Sequence, residues 1–189
     1  MNYSKRIFDI SLGILACFLL IGPALIVALL VRVSSNGPII FWSNRVGRYN
    51  NIFPMAKFRT MYSGAPNVAT SDLQNPELHL TPVGAFLRKT SLDEVPQLWH
   101  ILKGDMSFVG PRPALFSQRD LIELRNTKGV QVLTPGLTGL AQINGRDQIS
   151  IAEKVAFDTK YLELKSTSID IKILWLTLVK VVSSSDVSH

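Results

Sequence analysis

With a single cysteine, Cys17, in 189 residues, the chain can form no internal disulfide, and its bulk is expected on the reducing, cytosolic side of a membrane. Acid is also short. Asp and Glu number 14 against 20 Lys and Arg, leaving a net charge of +6 and a pI near 9.6, which calls for an anionic partner: nucleic acid, a membrane surface or a phosphorylated small molecule. Aromatics make up 8% of the chain and few are interleaved with the basic residues. With no recognised nucleic-acid module either, a nucleic-acid binder is disfavoured. Neither the P-loop nor the dinucleotide fingerprint occurs. No A-x-A site follows the apolar N-terminal run, and that run exceeds the ~7 to 15 residues of a signal-peptide core. The length allows one domain.

What the chain has in plenty is apolar sequence at its two ends, which carries the mean hydropathy to +0.22. Residues 7–33 are nearly all apolar, interrupted by Asp9, Ser11, Gly13 and the Gly22-Pro23 pair, with Lys5-Arg6 before them and Arg32 near their end. Pro23 divides the run, and the front piece spans only about 22 Å at helical rise, short of a hydrocarbon core about 30 Å thick. Basic residues at both ends favour both ends on one face. On these features, a helix that dips into one leaflet and a kinked spanning helix both stand. Asp9 is expected to pair with Arg6 at the interface. Residues 34–38 read as a turn separating the membrane segment from the globular part. At the other end Ile171, Leu174, Trp175, Leu178, Val181 and Val182 make one helical face, with Lys172 and Lys180 placed to snorkel. This is an interfacial helix or a core helix.

Between the ends, Thr90-Ser91-Leu92-Asp93-Glu94-Val95-Pro96-Gln97-Leu98-Trp99 sets two adjacent carboxylates at the start of a short helix. Its apolar positions are Leu92, Val95, Leu98, Trp99 and Leu102, and Gly104 stops it. Ser91 and Glu94 fit a capping box, the structural alternative to a chemical role. Pro96, however, lies too deep for a helix capped at Ser91 and predicts an irregular first turn. Arg88-Lys89, Lys103, Asp105 and the stiff Gly110-Pro111-Arg112-Pro113 crowd cations and acids around the pair, as a phosphorylated substrate and a metal would require. Residues 39–42 and 53–61 read as strands, the second placing Lys57 and Arg59 on one face, as phosphate ligands or as a solvated edge. Residues 62–75 read as a loop of functional length or as simple disorder, and a helix opens near Thr81-Pro82. Residues 106–109 form a strand, and Arg112, held between two fixed φ angles, is prepared for bidentate phosphate binding or belongs to a plain turn. Residues 121–125 form a helix whose charges face solvent. The stretch from Thr134 to Arg146 joins two glycine turns to a short apolar strand, through which backbone amides could approach a phosphate. Residues 151–164 form a helix carrying Asp158.

Taken together, Lys57-Phe58-Arg59-Thr60-Met61, the Ser91-to-Trp99 segment, Leu102-Lys103-Gly104-Asp105-Met106-Ser107, Gly110-Pro111-Arg112-Pro113, Pro135-Gly136-Leu137-Thr138-Gly139 and Asn144-Gly145-Arg146 resemble the bacterial sugar transferases, the small monotopic phosphoglycosyl transferases. The resemblance implies an α+β fold, mostly helical with short strands: a re-entrant membrane helix over residues 1–33, broken at Gly22 and Pro23, then a catalytic domain over 34–189 with interfacial amphipathic helices. It implies an enzyme on the cytoplasmic face of the bacterial inner membrane. That enzyme moves a phosphosugar from a nucleotide sugar, expected to be a UDP-sugar, to undecaprenyl phosphate and releases UMP. Asp93 would be the nucleophile and Glu94 its partner at a Mg²⁺ site that also accepts Mn²⁺. Lys57, Arg59, Arg88, Arg112 and Arg146 become candidate phosphate or nucleotide ligands, joined by Gly136, Thr138, Gly139, Gln142 and Asp158. His100 stands where relatives commonly carry Asn and receives no role. A homodimer is allowed. The contrasting functions are a membrane-anchored scaffold, which leaves the Asp93-Glu94 setting unexplained, and the nucleic-acid binder already disfavoured.

Overall fold

The computed structural model describes residues 3–66, 75–145 and 148–183. Among these the chain is a mixture of helices and short strands, as expected of an α+β protein. The first helix, α1 (Tyr3–Ser34), is a single element with Pro23 inside it. The expected break at Gly22-Pro23 is therefore not a gap in the helix. Proline removes one amide and crowds one carbonyl, a local defect that the turns on either side can carry through. By length and composition α1 could cross a bilayer, and little of it is buried. Ile7, Ile14, Phe18, Leu25, Leu29 and Val33 are all exposed.

Both ends of α1 are nevertheless fastened to the rest of the molecule. Near its start Lys5 Nζ meets Asp170 Oδ2 at 2.7 Å. Arg6 donates to the carbonyls of Ile101 and Leu102. Asp9 accepts from Ser107 Oγ at 3.0 Å and from the Phe108 amide at 3.1 Å, so Arg6 is not its partner as the sequence suggested. At the far end Arg59 donates to the carbonyls of Asn36 and Ser35 at 3.0 and 2.7 Å. Charge-assisted bonds of this kind contribute roughly 1.5–3 kcal/mol each when shielded from water.

Strand β1 (Ile40–Val46) turns back through Gly47 and Asn50 into β2 (Ile52–Phe58), with Ile40 opposite Phe58 and Val46 opposite Ile52. A 3-10 turn (Pro76–His79) leads to α2 (Gly84–Thr90), which ends at Ser91 in the left-handed region, φ 56°. Leu92–Glu94 is a separate 3-10 turn, and α3 (Gln97–Lys103) begins only after Pro96 and stops at Gly104, φ 103°. The irregular turn predicted from Pro96 is present. The capping box is not, because Ser91 closes α2 and its side chain caps nothing.

Two further strands, β3 (Ser107–Val109) and β4 (Ala114–Leu115), flank the Gly110-to-Pro113 segment. Helix α4 (Arg119–Thr127) and a 3-10 turn (Val130–Val132) precede β5 (Gly136–Thr138). One sheet has the antiparallel order β2-β1-β4, and the other pairs β3 with β5 in parallel. The chain closes with α5 (Leu140–Ile143), α6 (Ile151–Leu164, capped by a Ser150–Glu153 box) and α7 (Thr167–Ser183). The expected glycine turn at 136–138 is thus a strand, and the expected apolar strand after it is a helical turn. A Cβ on Gly136 would stand 2.1 Å from the Gly110 amide nitrogen, so the close parallel pairing itself requires glycine.

The main core gathers Phe53 and Met55 of β2, Leu98 and Ile101 of α3, Phe108 and Val109 of β3, Tyr161 of α6 and Ile173 of α7, with Leu12, Ala16, Cys17 and Leu20 of α1 packed against it. A second cluster joins Val27 and Val31 of α1 to Phe58 and Leu87. The α1 helix is thereby a wall of both clusters. On α7, Ile173 faces the core while Ile171, Trp175, Leu178 and Val181 are exposed.

Candidate active site

The irregular turn before α3 presents Asp93 and Glu94 side by side, 6% and 8% exposed. Three neighbouring elements bring cations to them. Lys57 of β2 places its Nζ 2.7 Å from Glu94 Oε1 and 3.5 Å from Asp93 Oδ2. Arg112, from the segment between β3 and β4, donates to Glu94 Oε1 at 3.2 Å. Arg88, in the last turn of α2, donates to Thr60 Oγ1 at 3.0 Å and acts electrostatically on Asp93. Glu94 takes the short contacts, whereas Asp93 is touched by Lys57 only at the limit of hydrogen-bond distance.

Burial pushes the Asp93 carboxyl above the usual carboxylate range. Lys57 pulls it back, Glu94 raises it, and Arg88 and Arg112 lower it. Desolvation outweighs the cations, as expected where a charge leaves water for a poorly polarisable surrounding. Two adjacent carboxylates that three cations only partly compensate form a strongly perturbed cluster, the setting in which nucleophiles and acid–base groups are found.

The surrounding residues hold this geometry. His100, 3% exposed, accepts the Ala56 amide at Nε2 (3.1 Å) and lies 3.2 Å from Asp105 Oδ2 through Nδ1. An accepting Nε2 puts the proton on Nδ1, where it bonds Asp105. His100 therefore ties α3 to the strand residue adjacent to Lys57, a role the sequence did not disclose. Arg125 of α4, expected to face solvent, instead donates to Asp158 Oδ2 at 3.0 and 2.8 Å and to the Arg112 carbonyl at 2.9 Å. Asp158, 1% exposed, thus acts through Arg125 on the backbone that carries Arg112, and makes no contact of its own with the acidic pair.

Arg59, Gly136, Thr138 and Gly139, also expected as ligands, make contacts elsewhere in the fold. Strand β2 ends at Phe58, so the alternation that aligned Lys57 with Arg59 stops short of Arg59. The guanidinium of Arg59 closes the end of α1 instead. Thr138 Oγ1 lies 2.7 Å from Thr177 Oγ1 of α7. Gly136 and Gly139 are packed against Gly110. Gln142 has both side-chain amide atoms buried without a partner. Arg146 lies outside the described residues.

One residue of the motif went unassigned on sequence. Gln97, 2% exposed, has its Nε2 buried and unbonded, four positions after Asp93. Its position was the available signal: a polar side chain at i+4 from an acid, on the inward face of a helix.

Among the described residues no group of three or more His, Cys, Asp or Glu could hold a metal. Two adjacent carboxylates suffice for Mg²⁺, which commonly uses one or two carboxylates together with substrate phosphates. Asp93 and Glu94 fit that requirement.

The sequence profile of a family described as bacterial sugar transferase matches residues 1–184. The exopolysaccharide production protein ExoY of Rhizobium meliloti is 39% identical over 193 residues, covering 93% of this chain and 84% of the relative. The undecaprenyl-phosphate galactose phosphotransferase of Salmonella typhimurium is 36% identical over 98% of this chain and 41% of its own length. The UDP-glucose:undecaprenyl-phosphate glucose-1-phosphate transferase of Escherichia coli is 43% identical over 93% of this chain and 39% of its own length.

Proposed function

The chain belongs to the bacterial sugar transferase family and is a transferase, and from that premise we propose that it moves a sugar phosphate from a UDP-sugar to undecaprenyl phosphate at the cytoplasmic face of the inner membrane. The carrying observation is the buried Asp93–Glu94 pair with Lys57, Arg88 and Arg112 around it. That arrangement suits attack on a diphosphate, where a compact nucleophile needs fixed cations for the charge that develops on the phosphoryl oxygens.

An Asp93 carboxylate oxygen attacks the sugar-bearing phosphorus. The bond from that phosphorus to the oxygen bridging the two phosphates breaks, and UMP leaves with the electron pair. The resulting acyl phosphate holds the sugar phosphate while donor product and acceptor exchange places. A phosphate oxygen of undecaprenyl phosphate then attacks the same phosphorus and frees the Asp93 carboxylate, giving undecaprenyl-diphosphate-sugar. Arg112 and Lys57 are released from Glu94 towards the phosphates as substrate enters. Held by Asp93, Glu94 and the substrate phosphates, Mg²⁺ would neutralise charge on the diphosphate.

The membrane placement has support of its own. Both ends of α1 are fastened to one globular body, and its exposed side is apolar along its length. A helix that dips and returns keeps both ends on one face, whereas a straight span would separate Lys5 from Asp170. The exposed apolar side of α7 would lie along the same surface.

Incubating the protein with a panel of UDP-sugars and Mg²⁺ but no acceptor should add the mass of one sugar phosphate at Asp93, and EDTA should prevent it. Direct attack by the acceptor would give no adduct. Monophosphate release across the same panel would also reveal the sugar, and its absence with every donor would favour a scaffold.

A further inference from the structure

A cavity of about 280 Å³ opens where α1, α6 and α7 meet, and neither carboxylate of the acidic pair nor any of the cations around it lines the cavity. Lys5, Arg48 and Lys165 contribute positive charge to its wall, against one acid, Asp170. That acid is already occupied: Lys5 pairs with it at 2.7 Å, and the Tyr161 hydroxyl donates to its other oxygen at 2.7 Å. Arg48 is bonded to neutral groups, the Val132 carbonyl at 2.9 Å and the Tyr49 hydroxyl at 3.1 Å, and forms no salt bridge among the described residues. Lys165 is exposed and forms no salt bridge among the described residues. Ser166 and Thr167, at the start of the 17-residue helix α7, add hydroxyls. The cavity therefore presents two cations with no salt bridge among the described residues, together with hydrogen-bond donors.

We propose that this cavity receives the phosphate-bearing headgroup of one anionic membrane phospholipid. The cavity is slightly smaller than the ~300–1,000 Å³ of typical small-ligand clefts, which suits a headgroup better than a nucleotide sugar. Its position selects a lipid over a free anion. The Lys5–Asp170 bridge joins the first turns of α1 and α7, and both helices leave the cavity with apolar side chains exposed: Ile7, Ile14 and Phe18 on one, Ile171, Trp175 and Leu178 on the other. A phosphate held at that junction would have its acyl chains beside those faces. The inference rests on the membrane placement given above and goes beyond the transfer reaction, since it adds a lipid that is not a substrate.

The test uses the full chain in detergent, mixed with phosphatidylglycerol or with phosphatidylcholine, and counts retained lipid by native mass spectrometry. One phosphatidylglycerol per chain should be retained in preference to phosphatidylcholine. Lys165→Glu, and separately Arg48→Gln, should each weaken that retention roughly fivefold or more, the effect expected of one cation near a lipid phosphate. Lys165→Arg should restore it. All three variants should keep wild-type transfer rates in detergent, which also reports folding. Equal retention of the two lipids, or undiminished phosphatidylglycerol in both charge-removing variants, would overturn the proposal. So would displacement of the lipid by millimolar inorganic phosphate, which would make this a site for a soluble anion. Flotation with neutral phosphatidylcholine vesicles tests the membrane placement separately. Wild type that floats yet retains no phosphatidylglycerol refutes the lipid site alone, and wild type that fails to float refutes the placement and the lipid site with it.

Discussion

Asp93 is the residue whose chemistry and stability pull in opposite directions. A carboxyl whose folded pKa lies above its unfolded value binds its proton more tightly in the folded state. It therefore favours folding at acid pH and works against it once pH exceeds the folded pKa. Asp93→Asn keeps the shape and removes the desolvated charge. We expect kcat to fall on the order of 10⁴-fold or more while the Tm at pH 8 rises, and a lowered Tm would count against the burial argument. Because the proposed attack requires the ionised form, kcat/KM should climb with pH along a limb above the ordinary aspartate value of about 4. Lys57 pulls that limb down, so Lys57→Met should move it to higher pH in addition to slowing the reaction. A limb left in place would mean that another group titrates. Arg112→Lys should be damaging too, since a point charge on a flexible stem cannot reproduce a rigid planar fork at the substrate phosphates, and unchanged kinetics would leave Arg112 a turn residue.

At the scale of elements, Arg59 decides between two readings of the end of β2. As the closure of α1, Arg59→Met should lower stability by roughly 2–3 kcal/mol with KM for the donor sugar unchanged. As a phosphate ligand it would raise KM instead. The same comparison shows what could be read from the sequence. Features set within a few residues were legible: the stop at Gly104, the irregular turn imposed by Pro96, strand β3, helix α6 and the juxtaposed acids of the site. Contacts made by long polar side chains across the fold were not, because residue type fixes what a side chain can bond but not which acceptor the chain brings to it. Arg59, Arg125 and His100 each reach partners on other elements, at separations of 23–24, 13–33 and 44 residues. Glycine at 136 and 139 could not be assigned from the sequence to phosphate binding or to packing against Gly110, because close approach to a phosphate and close approach to another backbone ask for the same missing side chain.

For the whole molecule, the fastening of α1 at both ends governs the expected topology. A cysteine placed at Asn2, in a Cys17→Ser background, should stay unlabelled by a membrane-impermeant reagent applied to intact cells, and labelling from outside would refute the dip. The same fastening bears on how the protein is made. Lys5 finds Asp170 across 165 residues, and Arg6 and Asp9 find theirs across 95 to 99. Helix α1 thus leaves the ribosome before any of these partners, and its Lys5 anchor closes only once α7 has been made. Such long-range closure is slow compared with helix formation, so α1 would enter the bilayer without its partners. Translation arrested before α7 should leave a membrane-bound chain whose acidic pair is not yet assembled for catalysis.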